Sequence, residues 1–403
     1  MTVKSEIPAR LEGKFKAMAI CWFLVWGHLL HGTKYHPTRA LTLVYQPFAI
    51  VTMAILAYNE SKVNTRQRNL AGFILFFAST LSLLIVSTAY AICTSGKGGI
   101  GPFVGICAIV ACFGIADAFV EGGMVGDLSF MCPEFIQSYV AGLAAAGALT
   151  SALRLLTKAA FENSHDGLRK GVMLFLAICT FFEFLCVLLY AYFFPKLSIV
   201  KYFRSKAASE GSKTVSADLA AAGIQTKPDQ IVEEVTEHER LSTKQLFFQN
   251  IDYALDLILI YALTLSIFPG FLYENTGEHK LGAWYALVLI ASYNVWDLIS
   301  RYIPLMDCLK LESRKWLMIV ILSRFLLVPA FYFTAKYGDQ GWMIMLTSFL
   351  GLTNGYLTVC VFTLAPKGYK NALGNILVLC LLVGIFIGVS LGWLWLIGKK
   401  DAF

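Results

Sequence analysis

Apolar runs long enough to cross a bilayer recur from one end of the 403-residue chain to the other, and nothing else in the sequence constrains the fold as much. A spanning helix needs about 20 mostly apolar residues, because the hydrocarbon core is about 30 Å thick and a helix rises about 1.5 Å per residue. Hydrophobic residues make up 57% of the chain and charged residues 15%. Soluble domains average about 45–50% apolar and about 25% charged, so this chain has too few charges to cover a water-exposed surface. A water-soluble enzyme is excluded. Closed β-barrels also span membranes, but these runs are too long for strands and lack a period of two.

Breaks marked by charge, Gly or Pro leave about eleven segments, over residues 17–31, 40–58, 70–92, 102–125, 135–155, 171–194, 250–272, 282–304, 316–335, 341–365 and 372–397. The expected fold is therefore an all-α polytopic membrane protein with about 11 transmembrane helices. One long break, 196–248, holds Lys201, Arg204, Lys206 and Lys213, then Ser and Thr, then Glu233, Glu234, Glu237 and Glu239. Such a stretch cannot bury apolar surface. It predicts a mobile cytoplasmic loop between an N-terminal six-helix bundle (1–195) and a C-terminal five-helix bundle (249–403).

Cytoplasmic loops are enriched in Lys and Arg, which places the N-terminus in the cytoplasm. The net charge of +7 then reflects topology and not a nucleic-acid polymer as partner. Arg154, Lys158, Arg169 and Lys170, around the loop after the fifth span, run against that rule. The cysteines lie mostly inside apolar runs, with no Cys/His ligand spacing, so they read as small hydrophobes and not as metal ligands. The chain also lacks G-x-x-x-x-G-K-[ST], G-x-S-x-G and H-E-x-x-H. No enzyme activity, metal or cofactor is expected.

Ionisable groups inside spans are costly and usually face a cavity or a partner. Asp297 and Arg301 are one turn apart on the eighth span and can pair. They either neutralise each other for insertion or contact a substrate, Arg through its planar fork and Asp as an acceptor. Asp117 and Glu121 are one turn apart on the fourth span, with Asp127 beyond them. Two neighbouring carboxylates repel, which makes Asp117 and Glu121 candidates for proton coupling or for a packed interface. Glu183, Asp252, Asp256 and Arg324 read as interhelical structural pairs. Gly384, Gly388 and Gly392, like Ala141, Gly142, Ala145, Ala146 and Gly147, read as helix-packing seams. Pro47, Pro269 and Pro329 predict kinks. Trp26, Tyr45, Phe48 and Trp296 could stack a flat ligand or face lipid.

Taken together these residues resemble the equilibrative nucleoside transporter family, its plant branch most of all. The resemblance rests on Asn294, Asp297 and Arg301 in an N-x-x-D-x-x-x-R pattern, on Asn354-Gly355-Tyr356, and on Gln137 followed by Ala141-Gly142. Met131-Cys132-Pro133-Glu134 and the stretches Thr264–Gly270 and Ala365–Tyr369 are similar to further family stretches. It implies a major-facilitator-like fold with six and five helices around one site that opens alternately to each side. It further implies nucleosides, purine and pyrimidine, as substrates, with proton symport in many plant members, and the plasma membrane as the commonest address. Carried over, Asp297 and Arg301 contact ribose or base with Asn294 supporting them, Trp26 forms part of the pocket, and Tyr45 and Phe48 line the nucleobase side. Glu121 stands where the family usually has a glutamine.

Two departures bear on activity. A Glu at 121 donates a hydrogen bond only when protonated, which alters base preference or adds a titratable group. About a dozen residues are missing after Trp26, so a shortened first span is expected to impair transport. The alternative is a nucleoside-binding receptor or scaffold that moves nothing. Oligomeric state is not legible.

Overall fold

The protein is described by a computed structural model over residues 37–59, 63–93, 100–129, 133–162, 167–209, 247–274, 281–337, 340–364 and 370–396. All regular structure among these residues is helical. In lipid a helix satisfies its backbone within one segment, so runs apolar on every side still fold as helices.

The N-terminal half supplies α1 (Pro37–Tyr58), α2 (Thr65–Cys93), α3 (Ile100–Ser129), α4 (Pro133–Phe161) and α5 (Gly167–Leu188). A π-helical turn, Leu189–Phe193, and a 3-10 turn carry α5 into the short helix α6 (Ser198–Ser209). The C-terminal half supplies α7 (Ile251–Ile267), α8 (Gly270–Glu274), α9 (Tyr285–Ser300), α10 (Arg314–Ser323), α11 (Leu327–Tyr337), α12 (Gln340–Leu364) and α13 (Lys370–Gly392).

Among the described residues, nine stretches are long and apolar enough to cross a membrane. A tenth, α9, has 16 residues and is prolonged at either end by 3-10 turns, Gly282–Trp284 and Ile303–Leu305. Each expected segment from 40–58 onward is thus helical over its described residues, some of them with a break. The expected first span, 17–31, and most of the loop 196–248 lie outside the described residues. Helix α1 continues through Pro47, whereas Pro269 separates α7 from α8, and a 3-10 turn, Arg324–Leu326, breaks the ninth span just before Pro329.

The most extensive packing joins α7 to α13 and α9 to α12. A Cβ on Gly388 would stand 2.7 Å from the carbonyl oxygen of Ala262 and from Leu265 Cβ, so only glycine lets the α7 and α13 backbones come this close. The fifth-span seam needs a correction. Ala141 is buried, and Gly147 faces the Asn294 side chain, but nothing lies within 4 Å of where a Gly142 Cβ would be. Gly142 faces open space.

The halves meet where α4 packs on α9, and where α13 packs on α1 and α3. One apolar core runs across both halves through Met53, Val125, Val140, Leu257, Val361 and Leu377. A second belongs to the C-terminal half, around Leu263, Tyr285, Leu289, Phe331 and Leu350. Cys360 and Cys380 are buried among these apolar residues, while Cys107, Cys112, Cys179 and Cys186 are partly buried.

Candidate functional site

Helical spacing puts Asp297 and Arg301 on one face of α9 and its C-terminal turn, and both are buried. Asp297 Oδ2 accepts from Arg301 Nη2 at 2.9 Å and from Nε at 3.1 Å. Taking two charges out of water is expensive, and such a pair survives only where further hydrogen bonds satisfy what remains. Those bonds come from other helices. Asn354 Nδ2 on α12 donates to Asp297 Oδ1 at 2.8 Å. Arg301 Nη1 donates to the Val140 carbonyl at 2.5 Å, and Gln137 Nε2 donates to the Arg301 carbonyl at 3.0 Å, both on α4. The pair therefore ties the two halves together.

Behind it the polar chain continues into the C-terminal half. Thr264 Oγ1 lies 2.9 Å from Asn354 Oδ1, and Arg324 Nη2 donates to Thr264 Oγ1 at 2.9 Å. Arg324 Nε donates to Thr353 Oγ1 at 3.0 Å. Arg324 was expected to serve structural pairing; its charge rests on hydroxyl and carbonyl oxygens that lead back to Asp297.

Facing this pair from the N-terminal half is an acidic wall. Asp117 and Glu121 lie one turn apart on α3 and retain partial solvent access inside the span. The two carboxyls repel each other, and Glu121 is in electrostatic range of Arg301. The Tyr45 hydroxyl on α1 hydrogen-bonds to Asp117, and Tyr139 on α4 senses both acids. Tyr261 on α7 lies near Glu121 and the Asp297–Arg301 pair. Tyr293, one turn before Asp297, stacks on Phe268 with ring centroids 4.0 Å apart. The break at Pro269 positions that phenyl ring.

The structure thus brings together Tyr45, Asp117, Glu121, Asp297 and Arg301. Trp26 lies outside the described residues. Phe48 is exposed. Asn294 was expected to support the α9 pair, but its amide donates to Ser151 Oγ on α4 at 2.8 Å, and Asn354 takes the supporting role. Asp127 stands apart from Asp117 and Glu121 in a 2.5 Å ion pair with Arg204 of α6. Asp252 pairs with Arg314 at 3.0 Å, as a structural reading expects.

Sequence reasoning missed Arg68 of α2. It donates to the Ala118 and Phe119 carbonyls at 2.8 and 3.1 Å and to Asn375 Oδ1 of α13 at 3.1 Å. An Arg just before one apolar run and an Asn just inside another were the available signal, but nothing in the sequence pairs them.

Apolar spans that converge on buried charge at the contact of two halves describe a membrane carrier, and comparison with known proteins says which kind. A sequence profile of the nucleoside transporter family matches residues 106–397. The chain belongs to that family. It is 63% identical to equilibrative nucleotide transporter 3 of Arabidopsis thaliana over 99% of both chains. It is 62% identical to equilibrative nucleotide transporter 5 of that plant, again over 99% of both, and 30% identical to number 1 over 89% of this chain and 78% of the relative. Nucleoside transporters are carriers, not enzymes, and this member is a multi-pass membrane protein of the plant branch. Its fold resembles that of a bacterial homologue of the iron transporter ferroportin crystallised in an outward-facing state. The TM-score is 0.54 at 16% identity, over 90% of this chain and 84% of that one, a likeness in fold alone.

Proposed function

We propose that this protein moves purine and pyrimidine nucleosides across a membrane by alternating access, as two bundles, 1–195 and 249–403, rocking about one central site. The observation that carries this reading is the buried Asp297–Arg301 pair, fixed from three helices and facing partly accessible carboxyls across the contact of the halves. Arg301 offers donors to a ribose hydroxyl or a base carbonyl. Glu121 offers an acceptor to base N–H groups, and Tyr45 with Tyr139 supplies flat aromatic surface.

At the ends that flank the 196–248 loop the halves meet through Arg68 with Asn375, Gln137 with Arg301, and Gly374 against Val125, and at the opposite end through Glu162 with Trp284. With the N-terminus and that loop in the cytoplasm, the first group of contacts lies on the inner side. Asp117 and Glu121 are the groups that would couple a proton to transport.

The test is labelled uridine and adenosine flux into proteoliposomes with and without an inward proton gradient. Saturable uptake lost in Asp297→Ala and Arg301→Ala is the expected result, with faster uptake under the gradient if Asp117 and Glu121 couple protons. Equal uptake with and without the gradient removes coupling and leaves facilitated diffusion. Flux no higher than in empty vesicles removes the carrier reading.

A further inference from the structure

The seam between α4 and α9 is closed at both ends and open between them. At the inner end Gln137 and Val140 grip Arg301. In mid-membrane Asn294 bonds Ser151. At the opposite end Trp284 Nε1 donates to Glu162 Oε1 at 3.0 Å while Lys158 Nζ sits 4.6 Å over the indole ring. Between the last two contacts lies a cavity of about 180 Å³. Its α4 wall is the stripe Gly147, Thr150, Ser151 and Arg154, and its α9 wall is Leu287, Ile290 and Asn294.

A site for a whole small molecule usually measures about 300–1,000 Å³, so this one suits a single chemical group with its water. The wall chemistry names the group. Arg154 is exposed at the mouth of this cavity within a membrane-spanning helix, and among the described residues its guanidinium has no carboxylate or carbonyl partner. Thr150 adds a free hydroxyl on the same stripe. An unpaired cation at membrane depth favours an anion, and a planar guanidinium beside hydroxyl and amide groups matches the oxygens of a phosphate ester. Leu287 and Ile290 give the other wall an apolar surface that would suit the start of an acyl chain. Arg154 is also the first of the basic residues whose position contradicts the inside-positive rule, and a ligand role accounts for a charge that topology does not.

The geometry points to a phosphate-ester site between the two halves, held by Arg154 and Thr150 and distinct from the central pair. The phosphate could belong to an anionic lipid headgroup wedged in the seam or to a soluble nucleotide. Binding here is independent of whether nucleosides are carried, since no residue of the central pair lines the cavity.

The experiment is thermal unfolding of the purified full chain in detergent, titrated with inorganic phosphate, uridine monophosphate and short-chain phosphatidylglycerol against chloride at matched ionic strength. Wild type is expected to show saturable stabilisation. Stabilisation by phosphatidylglycerol alone assigns the site to lipid, and stabilisation by the two soluble phosphates assigns it to free anions. Losing one charge-assisted hydrogen-bond donor should weaken the effective ligand about tenfold or more in Arg154→Gln, with Arg154→Lys intermediate. If Arg154→Gln fails the circular-dichroism check for folding, Thr150→Val at the exposed rim gives the same comparison with a smaller loss. No stabilisation beyond chloride, or equal stabilisation in folded Arg154→Gln, overturns the site. A chain stabilised by phosphate that still carries no nucleoside sinks the transport reading and leaves this one standing.

Discussion

Asn354 reaches Asp297 from a different helix, and two substitutions there separate hydrogen bonding from charge. Asn354→Ala leaves Asp297 Oδ1 without its donor, which costs about 1–3 kcal/mol for a buried group. Asn354→Asp sets a second carboxylate within about 3 Å of the first and should lower the thermal unfolding midpoint further, because buried like charges repel. A midpoint ordered the other way would mean that Asn354 does not address Asp297. Glu121→Gln keeps the shape of the side chain and removes its titratable proton. If Glu121 couples protons, uptake by the wild type rises as external pH falls and the variant flattens that rise. An unchanged pH profile in Glu121→Gln places coupling elsewhere. Asp297 and Arg301 were legible from spacing alone, because helix geometry makes residues four apart neighbours. Asn354 as the third member was not, since its partner lies 57 residues away and only folding brings α12 onto α9.

At the scale of helices, the runs themselves marked where the spanning helices lie, because bilayer thickness sets a length that composition can be measured against, whereas α6 falls in the stretch expected as a loop. Their interruptions were legible at Pro269, but the π-helical turn at Leu189–Phe193 left no mark in composition. Small residues marked the seams less reliably. A glycine permits close approach without showing what approaches, and Gly388 and Gly142 look alike in sequence while only the first meets a neighbour. Gly388→Ala should therefore push α13 from α7 and lower the unfolding midpoint by several degrees, on the order of the 1–3 kcal/mol that overpacking costs. Gly142→Ala meets nothing and should be neutral or slightly stabilising, as alanine favours helix over glycine by about 1 kcal/mol. Similar losses in both variants would contradict this packing of α13 against α7.

Over the whole molecule, the halves are joined by few polar contacts at high sequence separation, and Arg68 with Asn375, 307 residues apart, is the most distant pair among those described. A double-mutant cycle of Arg68→Ala and Asn375→Ala, read by thermal unfolding, should show coupling of about 0.5–3 kcal/mol. Additive losses would mean that α2 and α13 do not hold each other at the inner end. Such contacts were the least legible part of the protein, since no local pattern links residues that only the assembled fold makes neighbours. Alternating access asks that they break and reform in each cycle, and that demand separates a carrier from a receptor that merely binds. Counterflow in proteoliposomes measures it most directly. Vesicles preloaded with unlabelled uridine should take up labelled uridine faster than empty ones, and Asp297→Ala should abolish the difference. Saturable uridine binding with no entry from either direction would contradict the account.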